Sequence, residues 1–318
     1  VASIVVTGGV GFIGYHVSRA LLARGDDVLV VDDFSDAPYP RVEKRRNERD
    51  LKAEFPRARV VEGCVTDRAA MGPLLDGASA VIHLAGLAGV RPSFADPVRY
   101  CRVNVEGTAV IMELASERGI DRVAFASSSS VYGNATPLPA SEESPATSPE
   151  SPYAASKRSA ELVASAICRR VTRMHCAALR FFTVYGPRQR PEMAITLFTR
   201  AVLAGRPITV FGDGSMRRDF THIDDIVRGV LAALEGAPVG FRAYNLGSGA
   251  PVDLHTLVDA IARASGARPT IAHGPMQLGD VDATFADITR ARSELGWQPR
   301  IALPDGLESV VKWVSENP

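Results

Sequence analysis

A doubly wound α/β fold, a parallel sheet with helices on both faces followed by a smaller C-terminal lobe, is what this 318-residue sequence predicts. Two observations carry it. Short β-branched runs alternate with helical stretches through roughly the first 180 residues, and the runs are apolar throughout, as in strands buried on both faces. The first run, Ser3-Ile4-Val5-Val6-Thr7, opens directly into Gly8-Gly9-Val10-Gly11-Phe12-Ile13-Gly14, a glycine-rich strand-to-helix turn.

The elements follow in order. Residues 15–23 read as a helix with Val17, Leu21 and Leu22 on its apolar side, and 27–31 as a second strand ending in Asp32-Asp33. Residues 41–55 read as a charged helix whose Arg41, Lys44, Arg45 and Arg46 belong to a solvated face. Further strands are expected at 58–61, 80–84, 123–126 and 176–179, with helices near 67–75, 98–118 and 153–170. Residues 134–152, rich in proline, serine and acid, read as a surface loop; Ser151-Pro152 at its end makes a cap-and-start pair for the next helix. Beyond 180 the rhythm loosens. Helices near 194–204, 222–235, 253–265, 288–295 and 304–315 alternate with short strands at 207–211, 243–246 and 269–272. The expected division is a nucleotide-binding unit over 1–180 and a smaller lobe over 181–318, with 219–247 returning to the first sheet.

Composition narrows the function classes. A formal net charge of +0 gives no bulk attraction to nucleic acid or membranes. The four cysteines, Cys64, Cys101, Cys168 and Cys176, show neither CxxC spacing nor the density of a secreted scaffold, so they are expected as small core residues in a reduced cytoplasm. No metal site is expected. The first residues read as a core strand rather than a charged start with an apolar leader, and no apolar stretch has the length of a membrane span.

The turn at Gly8, Gly11 and Gly14 has no side chains where a backbone must meet a pyrophosphate, and it precedes a helix N-terminus with free N–H groups. Asp32 falls 18 residues after Gly14, where an acid grips the adenosine ribose hydroxyls and repels a 2′-phosphate. NAD is therefore the expected cofactor. Strand ends at Leu84-Ala85-Gly86, Ala126-Ser127-Ser128 and Arg180-Phe181-Phe182-Thr183 would open on the same sheet edge, where ligands bind in open α/β folds.

Tyr153-Ala-Ala-Ser-Lys157 places a tyrosine and a lysine one helical turn apart, 25 residues (153 − 128) after Ser128 in the run Ser127-Ser128-Ser129-Ser130. An ammonium beside a phenol favours the phenolate, which makes a tyrosine usable as a base near neutral pH. A serine hydroxyl could hold a substrate oxygen beside it.

With these residues in place the chain resembles the extended short-chain dehydrogenase/reductases, built on the Rossmann sheet, and within them is similar to nucleotide-sugar 4-epimerases, UDP-glucuronate 4-epimerases in particular. The marks are A-S-S-S-S-V-Y-G at 126–133, L-R-F-F-T-V-Y-G-P at 179–187 with R-Q-R-P-E-M-A to 194, F-G-D-G-S at 211–215, R-R-D-F-T-H at 217–222 and G-D-V at 279–281. The resemblance implies a UDP-sugar substrate and transient oxidation at C4. Tyr153 takes the proton from O4, Lys157 tunes the tyrosine and holds the nicotinamide ribose, and Ser128 shares the O4 hydrogen bond. It places Phe12, Ile13, Cys64, Val65, Leu84, Ala85 and Gly86 with the glycines and Asp32 around NAD, and puts Asn104 on a helix facing the site. On the substrate side it implies Arg91, Ser129, Phe211 stacked on uracil, Arg218 on the diphosphate and Asp280 on the uridine ribose. Thr183 and Arg190 match the pair that binds a C6 carboxylate, for which a guanidinium fork is well shaped. A 4-keto uronic acid loses CO₂ readily, so holding that carboxylate also protects the intermediate. A surface arginine, or a diphosphate ligand, remains the other reading of Arg190, with Arg188 competing for either role. The family also implies a homodimer through the helices near 98–118 and 153–170.

The neighbouring activities fit less well. Sugar 4,6-dehydratases and UDP-glucuronate decarboxylases usually carry an acid before V-Y-G, where this chain has Ser129 and Ser130. A UDP-glucose or UDP-N-acetylglucosamine 4-epimerase is the other epimerase reading, but galactose-type epimerases commonly carry asparagine at the position of Thr183. A non-catalytic NAD-binding sensor would typically lose the tyrosine. One departure weakens the cofactor match: Cys64 stands where the family has an acid reaching the adenine amine.

Overall fold

A computed structural model describes residues 2–36, 39–274 and 282–317. The first strand, β1 (Ser3–Thr7), lies inside a seven-stranded sheet and hands the chain to α1 (Phe12–Arg24). β2 (Asp27–Asp32), α2 (Arg41–Glu54), β3 (Arg59–Glu62), α3 (Arg68–Leu74) and β4 (Ala80–His83) follow. Next come α4 (Val90–Ala95), α5 (Pro97–Cys101), a π-helical turn at Arg102–Glu106, α6 (Gly107–Glu117), β5 (Arg122–Ser128), a 3₁₀ turn at Ser129–Tyr132, α7 (Pro152–Arg170) and β6 (His175–Phe181). The second half runs β7 (Thr183–Tyr185), α8 (Ala194–Leu203), β8 (Ile208–Phe211), β9 (Arg217–Arg218), β10 (Phe220–His222), α9 (Ile223–Gly236), β11 (Gly240–Leu246), β12 (Val252–Asp253), α10 (Leu254–Ser265), β13 (Ile271–Gly274), α11 (Thr289–Leu295) and α12 (Leu303–Glu316).

The large sheet has the order β11-β6-β5-β4-β1-β2-β3, every pairing parallel. The chain winds outward from β1 to β3, then starts again on the other side at β4. Such a reversal leaves a crevice at the strand C-termini. Alternate side chains of one strand serve opposite faces: Ile4 and Val6 pack with Val17 and Leu21 of α1 and Ile226 and Val230 of α9, whereas Val5 packs with Met71, Ile111 and Ala164 of α3, α6 and α7. Each such buried side chain contributes about 1.5–3 kcal/mol, which is why strands covered on both faces read as unbroken apolar runs.

A separate core of Ile195, Phe198, Val210, Leu257, Ile261, Leu307 and Val310 builds the smaller lobe around α8, α10, α12 and the β8–β13 pair. Asp219 joins its segments. It is fully buried and accepts from Ser248 N at 2.6 Å, Ser248 Oγ at 2.7 Å, Gly249 N at 3.1 Å and Ala286 N at 3.0 Å, so its charge is met by three backbone amides and one hydroxyl.

Several expectations change. The helix expected over 98–118 is two helices joined by the π-helical turn, and that turn rotates Asn104 into the interior. Residues 134–152 are more than a surface loop: Ala140 and Ala146 are buried with Phe182 and Ala286, and Asn245 Nδ2 holds Ala140 O at 2.8 Å. Only Cys168 and Cys176 are core residues, whereas Cys64 and Cys101 are exposed. Among the described residues no helix is long and apolar enough to cross a membrane.

Candidate active site

The crevice between the sheet's C-terminal edge and the smaller lobe is a cavity of about 840 Å³. Its cofactor half is shaped by backbone. Gly8 adopts φ +67°, and a Cβ there would stand 2.5 Å from Ala85 N; a Cβ at Gly14 would stand 2.0 Å from Gly8 O. Only glycine closes the turn this tightly. Gly11 caps α1 without any side-chain hydrogen bond, so the first amides of the helix stay open to the cavity beside Phe12 and Ile13. Leu84, Ala85 and Gly86 line the facing wall; a Cβ at Gly86 would come within 3.0 Å of both Lys157 Nζ and Asn104 Oδ1.

Asp32 ends β2 with its carboxylate on Phe34 N at 3.0 Å and on Lys44 Nζ at 2.9 Å. Lys44 is 7% exposed, not solvated, because Lys44, Asn47 and Leu51 form the buried stripe of α2. Burial raises the Asp32 pKa while the Lys44 charge pulls it back. Cys64 and Val65 line the same end, with Cys64 Sγ 3.2 Å from Thr66 Oγ1. Open helix amides, a side-chain-free turn and an acid at the second strand end together fit an adenine dinucleotide.

At the seam, Ser128 ends β5 opposite Tyr153 and Lys157 in the first turns of α7, which Ser151 caps by accepting from Ala154 N at 3.1 Å. Burial raises the Tyr153 pKa; a hydrogen bond with Ser128 and the charge of Arg190 work against it. Lys157, expected to tune the phenol, stands one turn further along α7. Its ammonium donates to Ala126 O at 2.9 Å, and burial lowers its pKa to about 8 against the attraction of Glu161. Glu161 is wholly buried in an ion pair with Arg180, receiving Nε and Nη2 each at 2.8 Å, and takes Ser127 Oγ at 2.6 Å. Ser127 is thus structural. Ser128 Oγ both accepts from Ser130 N and donates to Ser130 Oγ at 3.1 Å, while Ser129 lines the cavity. Asn104 lies behind the wall. It bonds Leu87 N at 2.8 Å, Leu87 O at 3.0 Å and Ser156 Oγ at 2.9 Å, pinning the β4 exit loop to α7.

The far half is made of side chains from separate elements. Thr183, Arg190, Phe211 and Arg218 all line it. Arg190 meets Glu192 at 3.0 Å and donates to Met193 Sδ at 3.3 Å. Arg91 reaches from α4 to within 5.9 Å of the Phe211 ring centre, spanning the mouth between the two lobes. Arg218 Nη1 donates to Arg217 O at 3.0 Å. Arg188 is removed from contention: it points away, on Asn47 at 2.5 Å and Asp50 at 2.6 Å, stacked between Tyr15 and Trp313. Asp280 lies outside the described residues.

Sequence reasoning missed Lys44, Tyr100 and Glu192. Lys44 could have been found from the stripe it shares with Asn47 and Leu51, since an otherwise polar helix must bury something there. Tyr100 packs edge-on to Tyr153 with ring centres 6.2 Å apart. Nothing in their local sequence marks Tyr100 or Glu192.

Known proteins share this sequence pattern and fold. The family model of the NAD dependent epimerase/dehydratase family matches residues 4–247. The UDP-glucuronate 4-epimerase of Thermodesulfobacterium geofontis is 38% identical over 317 residues, covering 98% of this chain and 96% of its own. The structure of the Bacillus cereus UDP-glucuronic acid 4-epimerase with UDP-glucuronic acid and NAD superimposes with a TM-score of 0.91 at 33% identity, covering 99% of each chain. A dTDP-glucose 4,6-dehydratase, DesIV of Streptomyces venezuelae, superimposes almost as well, with a TM-score of 0.90 at 33% identity over 99% of this chain and 97% of its own. Fold alone therefore does not select the reaction. The chain belongs to the NAD-dependent epimerase/dehydratase family, and within it to the extended short-chain dehydrogenase/reductase type.

Proposed function

We propose that this protein interconverts UDP-glucuronate and UDP-galacturonate by transient oxidation at C4. One observation carries the choice of sugar. Thr183 and Arg190 share the cavity with Tyr153, and the Arg190 charge is felt at the Tyr153 hydroxyl. In a hexuronic acid, C4 and the C6 carboxylate are separated only by C5, so a base for O4 and a clamp for the carboxylate must be close neighbours.

Bound NAD supplies the hydride acceptor at C4 and later the donor. The chain's own residues do the rest. Tyr153 takes the O4 proton while Ser128 shares the hydrogen bond, and the same pair returns the proton once the ketone has presented its other face. Thr183 and Arg190 hold the carboxylate away from the geometry in which a β-keto acid loses CO₂. Ser129 and Ser130 put no carboxyl group beside C5, which favours epimerisation over dehydration. Gly8, Gly11, Gly14 and Asp32 hold the cofactor; Phe211, Arg218 and Asp280 are assigned to the uridine diphosphate. Residues 1–180 with 219–247 would form the cofactor unit, and the remainder of 181–318 the sugar-binding lobe.

A homodimer is part of the same reading: Phe94, Val98 and Leu162 expose apolar side chains on α4, α5 and α7, the side expected to pair. Light scattering should then give twice 33.9 kDa. A cytoplasmic home fits four free cysteines. The deciding experiment incubates the NAD-loaded protein with UDP-glucuronate and UDP-glucose separately and resolves the products. Formation of UDP-galacturonate is expected. A decarboxylated pentose product, or turnover of UDP-glucose alone, would overturn the assignment.

A further inference from the structure

Arg190 is poorly satisfied for a guanidinium inside a cavity. A guanidinium offers five donors in a rigid fork. Here one terminal nitrogen meets Glu192 Oε1 at 3.0 Å, the other donates to the weakly accepting thioether of Met193 at 3.3 Å, and among the described residues no further hydrogen bond or ion pair engages it. The Glu192 contact is one-pronged. The Arg190 side chain is 18% exposed and that of Glu192 53%, and both line the cavity. A half-solvated, single-contact ion pair contributes at most about 1 kcal/mol, whereas a carboxylate gripped by two parallel hydrogen bonds is held more strongly. Arg190 is thus kept by a carboxylate that is easily displaced.

We propose that Glu192 is an internal competitor for Arg190, a stand-in carboxylate that a uronic acid must displace and a neutral sugar leaves in place. The proposal rests on the reading of this pocket as a uronate site and adds a specificity-determining residue to it. With the cavity empty, Glu192 compensates the Arg190 charge. When a sugar carboxylate arrives, two anions cannot share one fork without repulsion, and Glu192, already half in solvent, is the one free to leave. The cost of displacing it lowers affinity for the charged sugar alone. Binding energy at C6 is thereby trimmed, which eases release of an equally charged product.

The test is calorimetric titration of the NAD-loaded protein with UDP-glucuronate and with UDP-glucose, in wild type, Glu192→Gln, Arg190→Ala and the double variant. Glu192→Gln should bind UDP-glucuronate about 3- to 10-fold tighter, with a gain that shrinks at high salt, while its affinity for UDP-glucose stays within about twofold. Glu192→Ala should act in the same direction. In the Arg190→Ala background the second substitution should have no effect on either sugar. Equal or weaker UDP-glucuronate binding by Glu192→Gln, an equal gain on UDP-glucose, or a gain that persists without Arg190 would overturn the proposal while leaving the uronate reading intact. A wild-type protein that binds UDP-glucose but not UDP-glucuronate would overturn that reading and this inference with it.

Discussion

The two halves of the cavity are built on different principles. The cofactor half is a backbone surface: its tightest constraints are a Cβ at Gly14 that would stand 2.0 Å from Gly8 O and one at Gly8 that would stand 2.5 Å from Ala85 N. The half proposed for the sugar nucleotide is a side-chain surface, with Thr183 on β7, Arg190 in the loop beyond it, Phe211 on β8, Arg218 on β9 and Arg91 on α4. A backbone surface tolerates almost no variation, because a single methyl group fills it. A side-chain surface can change its ligand by exchanging one residue, which is consistent with epimerases and a dehydratase sharing one fold.

The seam between the halves should show the largest effect of substitution. Tyr153→Phe removes the hydroxyl proposed to move the O4 proton, and we expect kcat to fall by about 10²- to 10⁴-fold. NAD retention and UDP-sugar binding should be nearly preserved, since neither half loses its walls. Product formation alongside titration of both ligands checks this. A fall in NAD binding comparable to the fall in kcat would mean that Tyr153 belongs to the cofactor half rather than to the seam.

Lys157, one turn further along α7, gives a test by pH. An unfolded chain keeps its lysine proton up to about 10.5, whereas burial makes the native side chain release it near 8. Between those values the unfolded state binds more protons, so this group makes stability rise with pH across that window. Below 8 the cost of burying the charge is fully present. The NAD-free wild type should gain on the order of 3 kcal/mol relative to Lys157→Met as pH goes from 8 to 10.5. Urea unfolding of both proteins at several pH values measures the difference. A flat difference would show that the ammonium is solvated and not held against Ala126 O.

Within the cofactor half, Lys44 is the exception to backbone construction. Lys44→Met leaves the Asp32 carboxylate buried without its cation, so its pKa, already raised by burial, rises further. The loss of charge on the carboxylate proposed to hold the ribose should weaken NAD binding by about 10-fold or more, without altering which sugar is preferred. Fluorescence titration of NAD-stripped protein, with a competition assay for the two sugars, separates those outcomes. A changed sugar preference would break the division into halves.

How far the sequence could be read follows the same division. β1, the glycine turn and Asp32 were legible because a strand, a turn and a helix N-terminus lie next to one another in the chain, so local sequence contains the whole device. Thr183 and Arg190 were legible only through resemblance, since seven residues of separation (190 − 183) do not say which side chains will face one cavity. Arg188 shows why: two residues before Arg190, it is drawn to Asp50 and Trp313 on the opposite side. Lys157 was legible on α7, yet its bond to Ala126 O was not, because that carbonyl comes from a strand 31 residues earlier. Tertiary partners set the charge seen by Tyr153, and sequence spacing cannot supply them.

Cys64 offers the smallest and most discriminating test of the backbone half. It is exposed at the cofactor end, and its thiol is engaged only weakly, with Thr66 Oγ1. Gly63 N is bonded to Asp32 O at 2.9 Å, so the backbone here is fixed by β2 and does not depend on the side chain at 64. Cys64→Asp should therefore leave the fold unchanged and add one carboxylate acceptor beside the adenine end. A single partly exposed hydrogen bond contributes about 0.5–1.5 kcal/mol, so NAD should bind roughly 2- to 10-fold tighter to the stripped protein. An unchanged dissociation constant would mean that the adenine amine does not approach position 64, and that the turn and Asp32 alone set affinity. A tightening confined to the variant would mean the opposite: the natural chain holds its cofactor with one contact fewer than the wall allows, and exchange of bound NAD should be correspondingly faster in wild type.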